Sequence, residues 1–127
     1  MMIAIVDYGV GNLFSLASSL KAIGAEIAVS GEKKVLHEAE KIILPGVGAF
    51  RDARAKLAKN NLDEFSIAEA KSGKPFLGIC LGMQMMFEKS YEYGEYEGLG
   101  LLKGKVVPIK DCLTDKSLKV PHIGWDA

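Results

Sequence analysis

Apolar residues fall into short runs separated by longer stretches of helical periodicity, and the two patterns alternate along the chain. Ile3, Ala4, Ile5 and Val6 are apolar without interruption, which predicts a central parallel strand buried on both faces. Leu13, Leu16, Ala17, Leu20 and Ile23 then recur on one helical face, with Asn12 placed to cap the helix and Gly24 to end it. A second strand is expected over 26–29 and a third over 42–44. The polar stretch 34–40 between them reads as a connection, with His37 on a solvated surface. Residues 50–72 predict helix, broken near Asn60-Asn61. A fourth strand follows over 76–79, then a helix from 81 to about 89. The segment 91–98 reads as a polar, aromatic loop, 105–109 as another strand, and 119–120 as the start of one more.

Strand–helix alternation of this kind specifies an α/β fold: an open, mostly parallel sheet with right-handed crossovers and helices on both faces. Such sheets bind ligands beyond the carboxyl ends of their strands. No repeat, low-complexity tract or linker divides the chain, so 1–127 is expected to form a single domain.

At the carboxyl end of the fourth strand stands Gly78-Ile79-Cys80-Leu81-Gly82, a Gly-x-Cys-x-Gly turn leading into a helix. A side chain at the apex of so sharp a strand-to-helix turn leaves no room for a Cβ on either flank, hence glycine at 78 and 82. Cys80 would then project above the sheet, where the unpaired N–H groups of a helix N-terminus favour thiolate. The plain alternative is a core cysteine in an ordinary turn. The third strand ends in Pro45-Gly46-Val47-Gly48-Ala49-Phe50, a loop able to turn its N–H groups toward the same mouth, as an oxyanion hole requires. Pro-Gly-x-Gly is also a common turn composition.

Four segments in order resemble the class I (triad) glutamine amidotransferases, and among them the glutaminase subunits of imidazole glycerol phosphate synthases. They are Asp7-Tyr8-Gly9-Val10-Gly11-Asn12-Leu13 with Ser15, Leu44-Pro45-Gly46-Val47-Gly48-Ala49-Phe50, Gly78-Ile79-Cys80-Leu81-Gly82-Met83-Gln84, and Val120-Pro121-His122-Ile123-Gly124-Trp125. The resemblance implies a flavodoxin-like fold with its C-terminal portion missing. It also implies that Cys80 is the nucleophile and that Val47, Gly48 and Leu81 form the oxyanion hole. Gly46 and Gln84 would bind the glutamine substrate, and Asn12 would face the partner. Cys80 would attack the side-chain amide, leaving a thioester for water and releasing ammonia to a (β/α)8-barrel cyclase subunit in histidine biosynthesis.

The family completes its triad with a His-x-Glu pair beyond the last matched segment, whereas this sequence has only His37 and His122. The expectation is therefore a chain of the glutaminase family with little activity by itself, since lost acid–base catalysis costs roughly 10²–10⁴ in rate. Two other readings stay open. One is a non-catalytic fragment that binds the cyclase, or itself through an exposed sheet edge. The other is a DJ-1-like cysteine hydrolase or chaperone.

Composition narrows the classes further. A formal net charge of zero with dispersed Lys and Arg argues against nucleic acid or an anionic membrane as partner. No apolar run nears the ~18 residues of a membrane span, and a cytoplasmic location is expected. Cys80 and Cys112 lack metal-ligand spacing, so no metal or cofactor is expected, and Cys112 reads as a bystander in a polar loop. Gly9-Val10-Gly11 suggests a dinucleotide loop, but Phe14 stands where the third glycine is needed. Met83, Met85 and Met86 read as core filling, while Trp125 could anchor an interface or cover the open end of the sheet.

Overall fold

The structure, a computed structural model, describes residues 1–121 and 123–125. Four strands pair in the order β2-β1-β3-β4, all parallel: β1 (Met2–Val6), β2 (Glu26–Ser30), β3 (Lys41–Leu44) and β4 (Phe76–Gly78). This is the flavodoxin-like order expected of a doubly wound sheet.

Alternation of side chains across the strands divides the apolar residues between two faces. Ala4, Val6, Ile42 and Leu44 join one core with Leu36 of α2 (Lys33–Glu38), with Phe50, Ala53 and Leu57 of α3 (Phe50–Ala58), and with Leu62 of α4 (Leu62–Lys71). Ile5 and Ile43, paired in register, are buried on the opposite face, and α1 (Leu13–Ala22) packs alongside β2. The cap on α1 is the expected one: Asn12 Oδ1 accepts from the Ser15 N–H at 3.2 Å. Gly24 follows its last turn at φ +87°, a conformation glycine adopts without strain. The break between α3 and α4 also falls where expected, with Asn60 and Asn61 both at φ 58°.

Several elements differ from the sequence expectation. The stretch 34–40 is no irregular connection, because Lys33–Glu38 form α2 and bury Leu36. The helix after Cys80, α5, spans only Leu81–Met85, and Phe87–Ser90 becomes a strand, β5. The reason lies downstream: Leu99 N–H donates to the Met85 carbonyl at 2.7 Å, and Leu101 and Leu102 N–H to that of Met86. Those carbonyls are thus taken by distant chain, and the helix cannot continue. The polar segment 91–98 is a hairpin whose far side, β6 (Tyr96–Glu97), pairs antiparallel with β5. On the other side of β5 runs β7 (Leu102–Val106), parallel to it, so these three strands form a separate small sheet. The strand expected over 105–109 therefore begins earlier, and Ile109–Cys112 form a short helix, α6, that carries the exposed Cys112.

Residues 119–120 are not in a strand, and Trp125 is fully exposed and covers nothing. His122 lies outside the described residues. Among the described residues no helix is long and apolar enough to cross a membrane.

Candidate active site

Cys80 occupies the apex between β4 and α5 at φ 55°, ψ −119°, a strained backbone for a non-glycine residue, and it is exposed. That combination separates an elbow from an ordinary core cysteine. The flanking glycines are required by contact. A Cβ on Gly78 would stand 2.7 Å from Met83 Cα, and one on Gly82 would strike the Leu44 carbonyl oxygen. Leu81 opens α5 and is buried, at the position where a helix leaves its N–H without an intrahelical acceptor. With only five residues, α5 aligns fewer peptide dipoles behind Cys80 than the longer helix expected from sequence.

The loop after β3 lies directly against this turn. A Cβ on Gly46 would meet Gly82 N at 2.7 Å and Leu81 Cβ at 3.0 Å, so the two backbones touch only because both residues are glycine. Ile79 N–H donates to the Leu44 carbonyl at 3.0 Å, which carries the β3–β4 ladder one residue past β4. Gly46 is buried in this contact, while Val47 and Gly48 are exposed, with Gly48 at φ +91°. The loop after β1 joins the cluster, since a Cβ on Gly11 would lie 3.1 Å from Pro45 Cβ. Three strands thus deliver their carboxyl-end loops to one place.

Gln84, one turn beyond Cys80, lines an adjoining cleft of about 710 Å³ with Tyr91, Glu92, Val107 and Pro108. Cys80 itself does not line that cleft and sits on the surface beside it. Asn12 is exposed, its side chain engaged in capping α1.

Two residues of this region were not legible as functional in the sequence. Tyr8, buried in the core, donates its hydroxyl to the Pro45 carbonyl at 2.6 Å. Glu92 accepts from the Phe50 N–H at 2.7 Å, which fixes the far end of the Pro45–Ala49 loop. Tyr8 belongs to a segment already singled out by resemblance, but nothing in its spacing reveals the long-range bond. Glu92 is one of several acidic residues in an aromatic hairpin and carries no signal of its own.

His37 is brought nowhere near this cluster. Its Nδ1 lies 2.6 Å from Glu69 Oε1, and Lys74, just before β4, holds the other Glu69 oxygen at 2.8 Å. That group sits at the amino ends of the strands, and from Lys74 to Cys80 the chain runs roughly 20 Å. It cannot exchange a proton with Cys80.

The chain is similar to known proteins along nearly its whole length. The chain is 56% identical over 126 residues to the imidazole glycerol phosphate synthase subunit HisH of Bacillus licheniformis, 98% of this chain and 59% of that protein. The HisH subunits of Sulfurimonas denitrificans, 51% identical, and Aquifex aeolicus, 49% identical, are matched over 98% and 99% of this chain and 60% and 59% of their own lengths. The chain thus spans about three-fifths of the length of these relatives. A crystal structure of a glutamine amidotransferase superposes with a TM-score of 0.70 at 20% identity, over 83% of this chain and 55% of that one. A putative peptidase E from Listeria monocytogenes reaches 0.66 at 13% identity, over 80% and 62%. Both show the fold alone. The family model described as glutamine amidotransferase class-I matches residues 4–126, and on that match this chain belongs to the class-I glutamine amidotransferase family.

Proposed function

We propose that this chain supplies the cysteine, the oxyanion donors and part of the substrate cleft of a glutaminase. Cys80 Sγ attacks the side-chain carbonyl carbon of glutamine, the S–C bond forms, and the oxyanion is held by N–H groups of Leu81 and the 47–48 turn. The C–N bond then breaks, nitrogen leaves as ammonia carrying the thiol proton, and water hydrolyses the thioester to glutamate. Gln84 and Glu92 line the cleft, where the Glu92 carboxylate suits the α-ammonium of the bound substrate, and Gly46 backs the substrate from within the oxyanion loop. The observation that supports this reading most is the direct packing of Gly46 against Leu81 and Gly82 beneath an exposed Cys80.

His37 is too far away to act as the base, so turnover requires one from outside the residues gathered at the elbow, and these 127 residues alone should turn over glutamine slowly. By likeness to its relatives, the chain would act within an imidazole glycerol phosphate synthase in the cytoplasm. There its ammonia would pass to a (β/α)8-barrel cyclase for histidine biosynthesis, with the exposed loop around Asn12 toward that partner.

The two exposed cysteines provide an internal control. A glutamine-shaped chloromethyl ketone alkylates a thiol with loss of chloride. It is expected to label Cys80 about a hundred-fold faster than Cys112, because binding in the cleft presents the reactive carbon. Free glutamine should protect Cys80 alone, as read by peptide mass spectrometry. Equal rates at the two cysteines, or no protection, would refute the reading.

A second reading has an observation of its own. β4 is the edge of the main sheet, and its Leu77 is 55% exposed. An apolar edge strand of this kind pairs readily with a second copy. Light scattering of this chain is expected to show mass rising with concentration, and Leu77→Lys to suppress it. A monomer at all concentrations would exclude edge pairing.

A further inference from the structure

We propose that Tyr8 is a positioning residue for the oxyanion loop, its buried hydroxyl fixing the Pro45–Gly46 peptide from which the oxyanion donors follow. This deepens the glutaminase reading and rests on it.

The argument begins where the β-ladder stops. The Leu44 carbonyl is the last on β3 to be taken by β4, through Ile79 N–H at 3.0 Å. The next carbonyl, that of buried Pro45, has left the ladder, and an unmet acceptor there would be costly. Tyr8, 8% exposed and two residues beyond neighbouring β1, meets it at 2.6 Å. A phenylalanine would fill the same core space, so packing alone does not call for the hydroxyl. Burial pushes the phenol pKa far above its usual range, so Tyr8 remains a donor at any working pH.

Because a peptide unit is planar, holding the Pro45 carbonyl also fixes the direction of the Gly46 N–H. Gly46 is then pinned against Gly82 N, and Glu92 holds Phe50 N–H at the far end. Only 47–49 are exposed between these anchors. Without the hydroxyl, the Pro45 carbonyl would turn toward another donor, rotating the peptide and moving the N–H groups of Val47 and Gly48 away from the developing oxyanion. The Sγ of Cys80 would stay where it is.

Tyr8→Phe in the otherwise intact chain separates these effects. The first measurement is single-turnover acylation by γ-glutamyl p-nitroanilide, in which the Sγ–C bond forms and p-nitroaniline leaves with the thiol proton. The second is alkylation of Cys80 by iodoacetamide, which forms no oxyanion. The acylation rate constant is expected to fall roughly ten-fold or more with unchanged half-saturation, while alkylation stays within about two-fold. Leu57→Ala, a core truncation away from the loop, serves as the stability control and should leave the acylation rate constant unchanged in the folded protein. An unchanged acylation rate in Tyr8→Phe would overturn the proposal, as would a parallel loss of alkylation or an equal loss in Leu57→Ala. If the unsubstituted chain itself fails to acylate, the glutaminase reading falls first and this inference with it.

Discussion

Gly82→Ala is expected to destabilise the chain by about 3 kcal/mol and to lower its melting temperature by roughly 10 °C. The added methyl would strike the carbonyl oxygen of Leu44 and approach Pro45 C at 3.1 Å. Both are backbone atoms, fixed by a strand on one side and by the start of α5 on the other, so no rotamer change relieves the clash. The structure must instead separate the elbow from the oxyanion loop, and the preference of the chloromethyl ketone for Cys80 should vanish along with the stability. Gly48→Ala provides the contrast. Gly48 is at φ +91° with nothing within 4 Å of a built Cβ, so alanine there meets only backbone strain, costing about 1 kcal/mol. Thermal melts of the two variants beside the unsubstituted chain separate close approach from conformational strain. Equal melting temperatures for Gly82→Ala and the unsubstituted chain would mean that the two loops do not touch.

That contact explains which parts of the site could be read in advance. A glycine forced by close approach leaves a mark in sequence, because no other residue type fits, and 78 and 82 were legible for that reason, whereas Gly46 read only as part of an oxyanion loop and its contact with Gly82 emerges from the structure. The parallel strands were legible too, since β1 and β3 are buried on both faces and carry uninterrupted apolar residues. Long-range hydrogen bonds have no such mark. The run Met83, Met85, Met86, Phe87 is compatible with a continuing helix, and only the N–H groups of Leu99, Leu101 and Leu102 decide that it ends at Met85. Of the three methionines, Met85 fills the core as expected, whereas Met83 is exposed. The same holds for Tyr8 and Glu92, whose partners stand 37 and 42 residues away. Helix α2 escaped notice because it buries a single residue, Leu36, and so has almost no apolar periodicity.

Removing the Lys74 ammonium, as in Lys74→Met, is expected to cost about 3–5 kcal/mol and to be the most damaging polar substitution at the amino end of the sheet. Its Nζ lies 2.8 Å from Glu69 Oε2 and donates to the carbonyls of His37 and Leu36 at 2.7 and 3.3 Å. One cation therefore neutralises a buried carboxylate on α4 and satisfies the last turn of α2, tying both helices to the start of β4. Burial raises the pKa of Glu69, yet the hydrogen bonds from Lys74 and His37 outweigh it and hold the carboxyl below its ordinary value of 4.5. A carboxyl depressed on folding contributes stability that is present above its unfolded pKa and is lost as pH falls through the folded one. Denaturant melts should thus show the stability falling from about pH 4.5 downward, with a smaller slope in Glu69→Gln, which has no proton to gain. His37 touches the same carboxylate but is largely exposed, so His37→Ala should cost much less than Lys74→Met. If the two substitutions prove equally harmful, the imidazole carries the weight assigned here to the ammonium; if neither matters, Glu69 is not charged in the folded chain.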